Sequence, residues 1–358
     1  MIRLPPSSPL FPYTALFRSA APLNAGTPLL IAGIGILIHE KSGVLNLGIE
    51  GIMLMGAVAG FGVTFATGSF MLGFIAGGLV GVLLAAVFGF FTLGLYANQN
   101  AAGLAMAIFG AGLAAFAGQP LQGVSLPSRA TAGIPFLEDI PFIGEAFFSC
   151  HIGVYLALIA AGAAAWFLYK SRWGLILRAA GESPKSAYAL GYSVRTIRFS
   201  AVLFGGLMTG IAGAYLSLVY TPLWAEGMTA GRGWIALALV TFATWRPLRI
   251  VLGAYLFGGV TMLQLNLQAA GIGVPSQFMA MTPYLATILV LVLISRNPKW
   301  IAMNVPAGLG KTFTPGKKSA RIRKRTPDTA TKAALFDFEN GNAESRERVE
   351  ISVVAVYI

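Results

Sequence analysis

The chain has 358 residues, of which 56% are hydrophobic and 11% charged, and its mean hydropathy is +0.74. Soluble globular proteins carry about a quarter charged residues, so this chain lacks the polar supply to cover a water-facing surface. A net charge of +12 does not indicate nucleic-acid binding, because the Lys and Arg residues fall between apolar stretches and in the C-terminal tail rather than on one amphipathic face.

In chain order, residues 1–20 form an atypical N-terminus. Pro5–Ser19 (PPSSPLFPYTALFRS) lacks the apolar core and small-residue cleavage pattern of a signal peptide. It resembles translated sequencing-adapter sequence and is expected to lie upstream of the real start. Residues 21–300 are predicted to be an all-α, polytopic membrane domain of about nine transmembrane helices, some short or broken. The apolar segments are Leu23–Ile38, Ile52–Thr67, Phe70–Leu93, Ala101–Gly118, Cys150–Leu168, Phe199–Tyr220, Trp234–Thr244, Ile250–Gln268 and Met281–Ser295. Residues 301–358 are a polar, basic tail, with a Lys/Arg run at Lys317–Arg325, expected to be disordered and solvated.

Charge bias orients these segments. The loop Tyr169–Arg198 carries Lys170, Arg172, Arg178, Lys185, Arg195 and Arg198 against Glu182 alone, and is expected to be cytoplasmic. Arg246, Arg249 and the basic tail then also fall inside. Gln119–Ser149, with three acidic residues against Arg129, and the uncharged Ala269–Ala280 fall outside. The N-terminus is therefore expected outside and the C-terminus in the cytoplasm. All six tryptophans sit near predicted segment ends, where indole prefers the headgroup level. The spacings Gly73-xxx-Gly77-xxx-Gly81 and Gly206-xxx-Gly210-xxx-Ala214 would let helix backbones approach closely.

Three stretches could carry chemistry. Glu40–Gly51 joins two apolar segments, contains three glycines, and places Asn46 and Glu50 four residues apart. Irregular backbone at membrane depth is tolerated where it is buried in protein or lines a cavity, so these two residues either face a solute path or lock the bend. Within the basic loop, Gly181-Glu182-Ser183-Pro184-Lys185-Ser186-Ala187-Tyr188-Ala189-Leu190-Gly191 reads as a short helix. Ser183 is its cap, Pro184 starts it and Gly191 stops it. Such a helix either receives force from a soluble motor or is a structured loop. Ala230–Trp234 sets Arg232 between glycines, as a gate or as an ordinary turn. Uncharged amides at Asn98, Gln99, Gln264 and Asn266 suit a hydroxylated ligand, or helix–helix hydrogen bonds equally well.

The absences also inform. None of the nine segments contains Asp, Glu, Lys or Arg, whereas ion-coupled carriers keep ionisable groups inside the membrane. The single cysteine, Cys150, excludes an intrachain disulfide and a cysteine-based metal site. His39 and His151 lack a ligand partner and read as interfacial, so no metal is expected. Gly308-Leu309-Gly310-Lys311-Thr312 only superficially looks like a phosphate loop, since Val305 stands where a glycine is required.

The same stretches resemble one family, the permeases of ATP-binding-cassette importers of the branched-chain amino acid, ribose and nucleoside type. EKSGVLNLGIEGIMLMGA (Glu40–Ala57), GLILRAAGESPKSAYALGYSV (Gly174–Val194) and GRGWIALALVTFATWRP (Gly231–Pro247) are similar to its blocks, closest to the nucleoside and simple-sugar branch. One departure is Ala107, where many relatives carry asparagine. The resemblance implies transport by alternating access with no enzyme site or bound cofactor in this chain. ATP would be used by a partner cytoplasmic ATPase, with a second permease subunit in a heterodimer and an extracytoplasmic solute-binding protein. It implies that Glu182–Gly191 holds the coupling helix that docks on the ATPase. The translocation path would then draw on Asn46, Glu50, Asn98, Gln99, Arg232, Gln264 and Asn266.

Overall fold

Without water to satisfy them, backbone N–H and C=O groups in lipid must pair within the segment, which favours helices throughout. A computed structural model describes residues 21–126, 150–269 and 304–314, with isolated positions between 275 and 292. Its helices are α1 (Ala21–Lys41), α2 (Ile49–Thr67), α3 (Phe70–Gly89), α4 (Gln99–Gly118), α5 (Ile152–Lys170), α6 (Arg172–Glu182), α7 (Pro184–Ala189), α8 (Val194–Tyr215), α9 (Arg232–Phe242) and α10 (Pro247–Ala269). A π turn extends α3 at Phe90–Gly94, and another extends α8 at Leu216–Tyr220. Among the described residues there is no strand, only isolated bridges pairing Gln122 with Trp224 and Ser125 with Leu223.

The chain is an all-α polytopic membrane protein. Seven of these helices are long and apolar enough to cross a bilayer, and α9 is a shorter apolar helix. About nine crossings were expected; the ninth segment, Met281–Ser295, lies largely outside the described residues. So do residues 1–20 and 315–358, and most of Gln119–Ser149.

Helix α8 forms the centre, packed on α1, α2 and α3; α1 packs in turn on α9 and α10, and α2 on α3 and α4. The outer faces of α3, α4, α5 and α10 present Leu79, Ile108, Phe116, Ile159 and Leu252, an apolar surface suited to lipid. The predicted small-residue contacts form. A Cβ at Gly210 would lie 2.2 Å from the Gly77 carbonyl oxygen, and one at Gly81 2.2 Å from that of Gly206. Gly56 of α2 meets Gly210 in the same way, at 2.3 Å. Glycine is required at these crossings because any side chain would push the backbones apart.

Several expectations change. The helices run past the apolar segments and take in ionisable residues: Glu40 and Lys41 in α1, Glu50 in α2, Arg198 in α8 and Arg232 in α9. Hydropathy ended those segments early because it scores charge, whereas the fold pairs each charged group with a partner. His39 is buried inside α1 rather than interfacial, with Nε2 unpartnered. His151 instead caps α5, its Nδ1 accepting from the Gly153 N–H. Trp166 and Trp173 are exposed as expected, but Trp224 and Trp245 are buried. Residues 304–313, placed in the tail by composition, pack against the α6–α7 region.

Candidate functional site

The α1–α2 link runs inward instead of turning at the membrane face. At its start, Glu40 Oε2 accepts from Trp245 Nε1 at 2.6 Å, just past the C-terminus of α9. At its end, Glu50 contacts the residues that begin α9. The 11 residues of α9 rise about 16 Å, roughly half the ~30 Å hydrocarbon thickness. The link therefore travels the length of α9, and α2 starts beside the N-terminus of α9. Contacts with α4 agree. The Leu45 N–H donates to Gln99 Oε1 at 2.8 Å, Gly103 abuts Leu47, and Gly51 abuts the carbonyls of Met106 and Ala107.

Two helices thus begin at the same depth, and Glu50 joins them. Its Oε1 accepts from Thr229 Oγ1 at 2.5 Å and from the Gly231 N–H at 2.9 Å. Its Oε2 accepts from the Gly233 N–H at 2.7 Å. Gly231 is the N-cap of α9, with φ +77 and no side-chain cap of its own. The Glu50 carboxylate supplies from α2 what a local Ser or Asp would otherwise give. It also sits in the first turn of α2, so the positive ends of both helix dipoles face it. Gly233 is needed for this approach, since a Cβ there would lie 2.7 Å from the Glu50 backbone.

The other residues of the link are held as tightly. Asn46 is buried, and its Oδ1 accepts from the Gly48 N–H at 2.8 Å. Gln99 is 2% exposed and keeps one buried donor, Nε2, without a partner. Asn98 caps α4 by accepting from the Asn100 and Ala101 N–H groups. Arg232 donates to the Met228 carbonyl at 3.2 Å and lies over the Tyr220 ring. The fold brings Asn46, Glu50, Gln99 and Arg232 to this region. Gln264 and Asn266 stand apart on α10, half-buried and exposed respectively. Among the described residues no group of His, Cys, Asp and Glu could hold a metal ion.

A second feature is the α6–α7–α8 loop. Ser183 Oγ accepts from the Ser186 N–H, Pro184 opens α7, and Gly191 takes φ +90. The short helix expected within Gly181–Gly191 forms over Pro184–Ala189, while Gly181 and Glu182 end α6. Ala187 anchors it against Ala180 of α6 and Val194 of α8. The opposite side offers Tyr188, Leu190 and Tyr192 to solvent, with Leu190 76% exposed. Glu182 Oε2 accepts from the Ala307 N–H at 3.3 Å. Lys185, Ser186 and Ala189 are also exposed.

Sequence reasoning missed Thr229 and Gly233 as partners of Glu50, and the Glu40–Trp245 bond. The available signal was the pair of glycines around Arg232, which release backbone N–H groups to an approaching acceptor. Nothing local marks Glu50 as that acceptor.

Residues 20–295 match the family described as branched-chain amino acid transport system / permease component. A putative glucose ABC transporter permease protein of Haloferax volcanii is 42% identical, covering 82% of this chain and 96% of that protein. A nucleoside ABC transporter permease protein of Lactococcus lactis is 34% identical, over 75% of this chain and 88% of that protein. A guanosine ABC transporter permease protein of Bacillus subtilis is 29% identical, over 81% and 96%. No solved structure matches the chain.

Proposed function

The chain belongs to the family of branched-chain amino acid transport system permease components, and from that membership we propose that it is the membrane-spanning subunit of an ATP-binding-cassette importer for nucleosides or simple sugars. The observation that carries this reading is the similarity along 88–96% of three proteins named for glucose, nucleoside and guanosine transport. ATP is bound and hydrolysed by a separate cytoplasmic subunit. A second permease chain completes the path as a heterodimer, and an extracytoplasmic binding protein delivers solute.

In this reading α7 is the coupling helix and faces the cytoplasm, as does the C-terminus. Its exposed Tyr188 and Leu190 form an apolar knob suited to a groove on the ATPase, while Ala187 fixes α7 to α6 and α8. A push on α7 therefore reaches α8. Helix α8 lies backbone to backbone on α2 and α3 through Gly210, so it cannot tilt without carrying them. The start of α2 in turn holds the start of α9 through Glu50. Helices α2, α3, α8 and α9 then shift as one body and change which side of the membrane the path opens to. Asn46, Glu50, Asn98, Gln99, Arg232, Gln264 and Asn266 are the path candidates. Gln99 is supported best, because its buried Nε2 has a donor to offer.

The test is uptake by proteoliposomes holding this chain, its partner permease and ATPase, and a binding protein loaded with radiolabelled nucleoside or sugar. ATP-dependent accumulation that vanishes without the ATPase is expected. Accumulation of leucine alone would refute the substrate class, and equilibration by this chain alone without ATP would refute the importer reading.

A further inference from the structure

The α8 N-terminus holds a buried arginine that the proposed transport cycle above does not use. Arg198 is 1% exposed, and its guanidinium donates only to backbone carbonyls, each from a different segment. Nε donates to Ser42 in the α1–α2 link at 3.0 Å. Nη1 donates to Lys311 at 3.0 Å, and Nη2 to Ala180 of α6 at 3.4 Å. Three glycines, one from each of those segments, close around this junction. A Cβ at Gly43 would lie 2.6 Å from Arg198 Nη2, and one at Gly308 3.1 Å from it. A Cβ at Gly181 would lie 2.1 Å from the Lys41 carbonyl oxygen.

The segment around Lys311 is a strap following the last apolar stretch. Lys41 Nζ donates to the Asn304 carbonyl at 2.8 Å, and the Gly308 N–H donates to the Gly181 carbonyl at 2.9 Å. Phe313 packs against Tyr188, with ring centroids 5.9 Å apart. The strap thus reaches from the end of α1, past Arg198, to the exposed side of α7. A planar guanidinium with several fixed donors can hold three carbonyls at once, which the single ammonium of lysine does less well.

We infer that Arg198, with the strap Asn304–Phe313, is a positioning device for α7: it ties α6, α8, the α1–α2 link and the strap into one block, so that motion of α7 is delivered through the link to the start of α2, which carries Glu50. This rests on the reading of α7 as the coupling helix. Without the block, α7 and its strap would yield under load, and ATP hydrolysis would turn over without moving α2.

The experiment uses the assembled transporter in proteoliposomes, measuring solute moved per ATP hydrolysed for Arg198→Gln, Arg198→Lys, Gly308→Val and Leu190→Asp. Arg198→Gln and Gly308→Val are expected to lower that ratio at least tenfold. Arg198→Lys should fall between them and the unaltered protein. A purely structural role would instead reduce assembled complex, uptake and hydrolysis together, leaving the ratio unchanged, and that result overturns the inference. Gly308→Val leaves Arg198 in place, so it decides the matter should Arg198→Gln fail to assemble. Loss of coupling in Leu190→Asp with a normal ratio in the Arg198 and Gly308 variants refutes the positioning device alone. Normal coupling in all four refutes the assignment of α7 as well.

Discussion

Replacing Glu50 should release the N-terminus of α9 before it affects anything else. Glu50→Ala removes the acceptor for the Gly231 and Gly233 N–H groups and for the Thr229 hydroxyl. Each hydrogen bond to a charged group contributes about 1.5–3 kcal/mol net, but α9 can settle toward other partners and the three terms are not additive. Taking two of them as lost at the lower figure gives about 3 kcal/mol. Glu50→Gln keeps one oxygen but turns an NH2 group toward a donor, so it should cost less, about 1–3 kcal/mol. The assay is hydrogen exchange at Gly231 and Gly233 in detergent, resolved on peptides spanning Thr229–Trp234. About 3 kcal/mol corresponds to roughly hundredfold faster exchange. Protection should be lost in the order Ala, then Gln, with the thermal midpoint falling in the same order. Unchanged exchange at these amides in Glu50→Ala would show that Glu50 does not hold α9.

Gly56→Ala should destabilise by about 1–3 kcal/mol through overpacking, because the added Cβ meets Gly210 backbone at 2.3 Å. Gly162→Ala, with nothing within 4 Å, should be neutral or stabilising by up to about 1 kcal/mol from helix propensity; equal melting of the two variants would contradict the packing. Trp245→Phe removes the indole donor from buried Glu40 and should lower the thermal midpoint by more than Trp173→Phe, whose indole is 72% exposed. Cys150 is 0% exposed, so its maleimide labelling should be negligible in the folded protein at pH 7.5 and become complete on denaturation; rapid labelling of the folded protein would contradict its burial.

Helix positions were legible wherever lipid dictates them. Phe70, Thr67 and Gly118 end or begin elements where apolar runs meet glycine or serine, and the structure keeps those boundaries. Misplaced boundaries are those where a charge is buried. The segment expected from Phe199 begins at Val194, because Arg198 reads as a loop cation in sequence but is enclosed by three carbonyls in the fold. Glu50 has the same character: its partners lie about 180 residues away, and no local spacing identifies them. The α9 segment counts as a crossing in sequence because the basic tail would otherwise fall outside, yet its place beside the start of α2 follows from contacts with the link. Left-handed backbone at Thr244 and Trp245, with φ +49 and +53, was equally invisible, since neither residue favours that region.

In the proposed importer, with the α1–α2 link on the path, the geometry at Glu50 bears on what that path selects. Two helices that start side by side inside the protein expose amide donors where a continuous helix would have none. A bare acceptor there would demand a cation, and bare donors would demand an anion. Here the α2 carboxylate and the α9 donors satisfy each other, so neither is left to recruit an ion from the solute stream. Beside them stand the Arg232 guanidinium, occupied by the Met228 carbonyl and the Tyr220 ring, and uncharged groups: the Nε2 group of Gln99 and backbone around the link. A neutral hydroxylated solute can exchange hydrogen bonds with such groups without leaving a charge behind in low dielectric, where an uncompensated ion is costly. The same pairing fixes α9 to α2 mechanically. In that proposal one carboxylate serves both to satisfy the α9 donors and to pass motion from α2 to α9, so solute affinity should survive Glu50→Gln better than the coupling of that affinity to ATP.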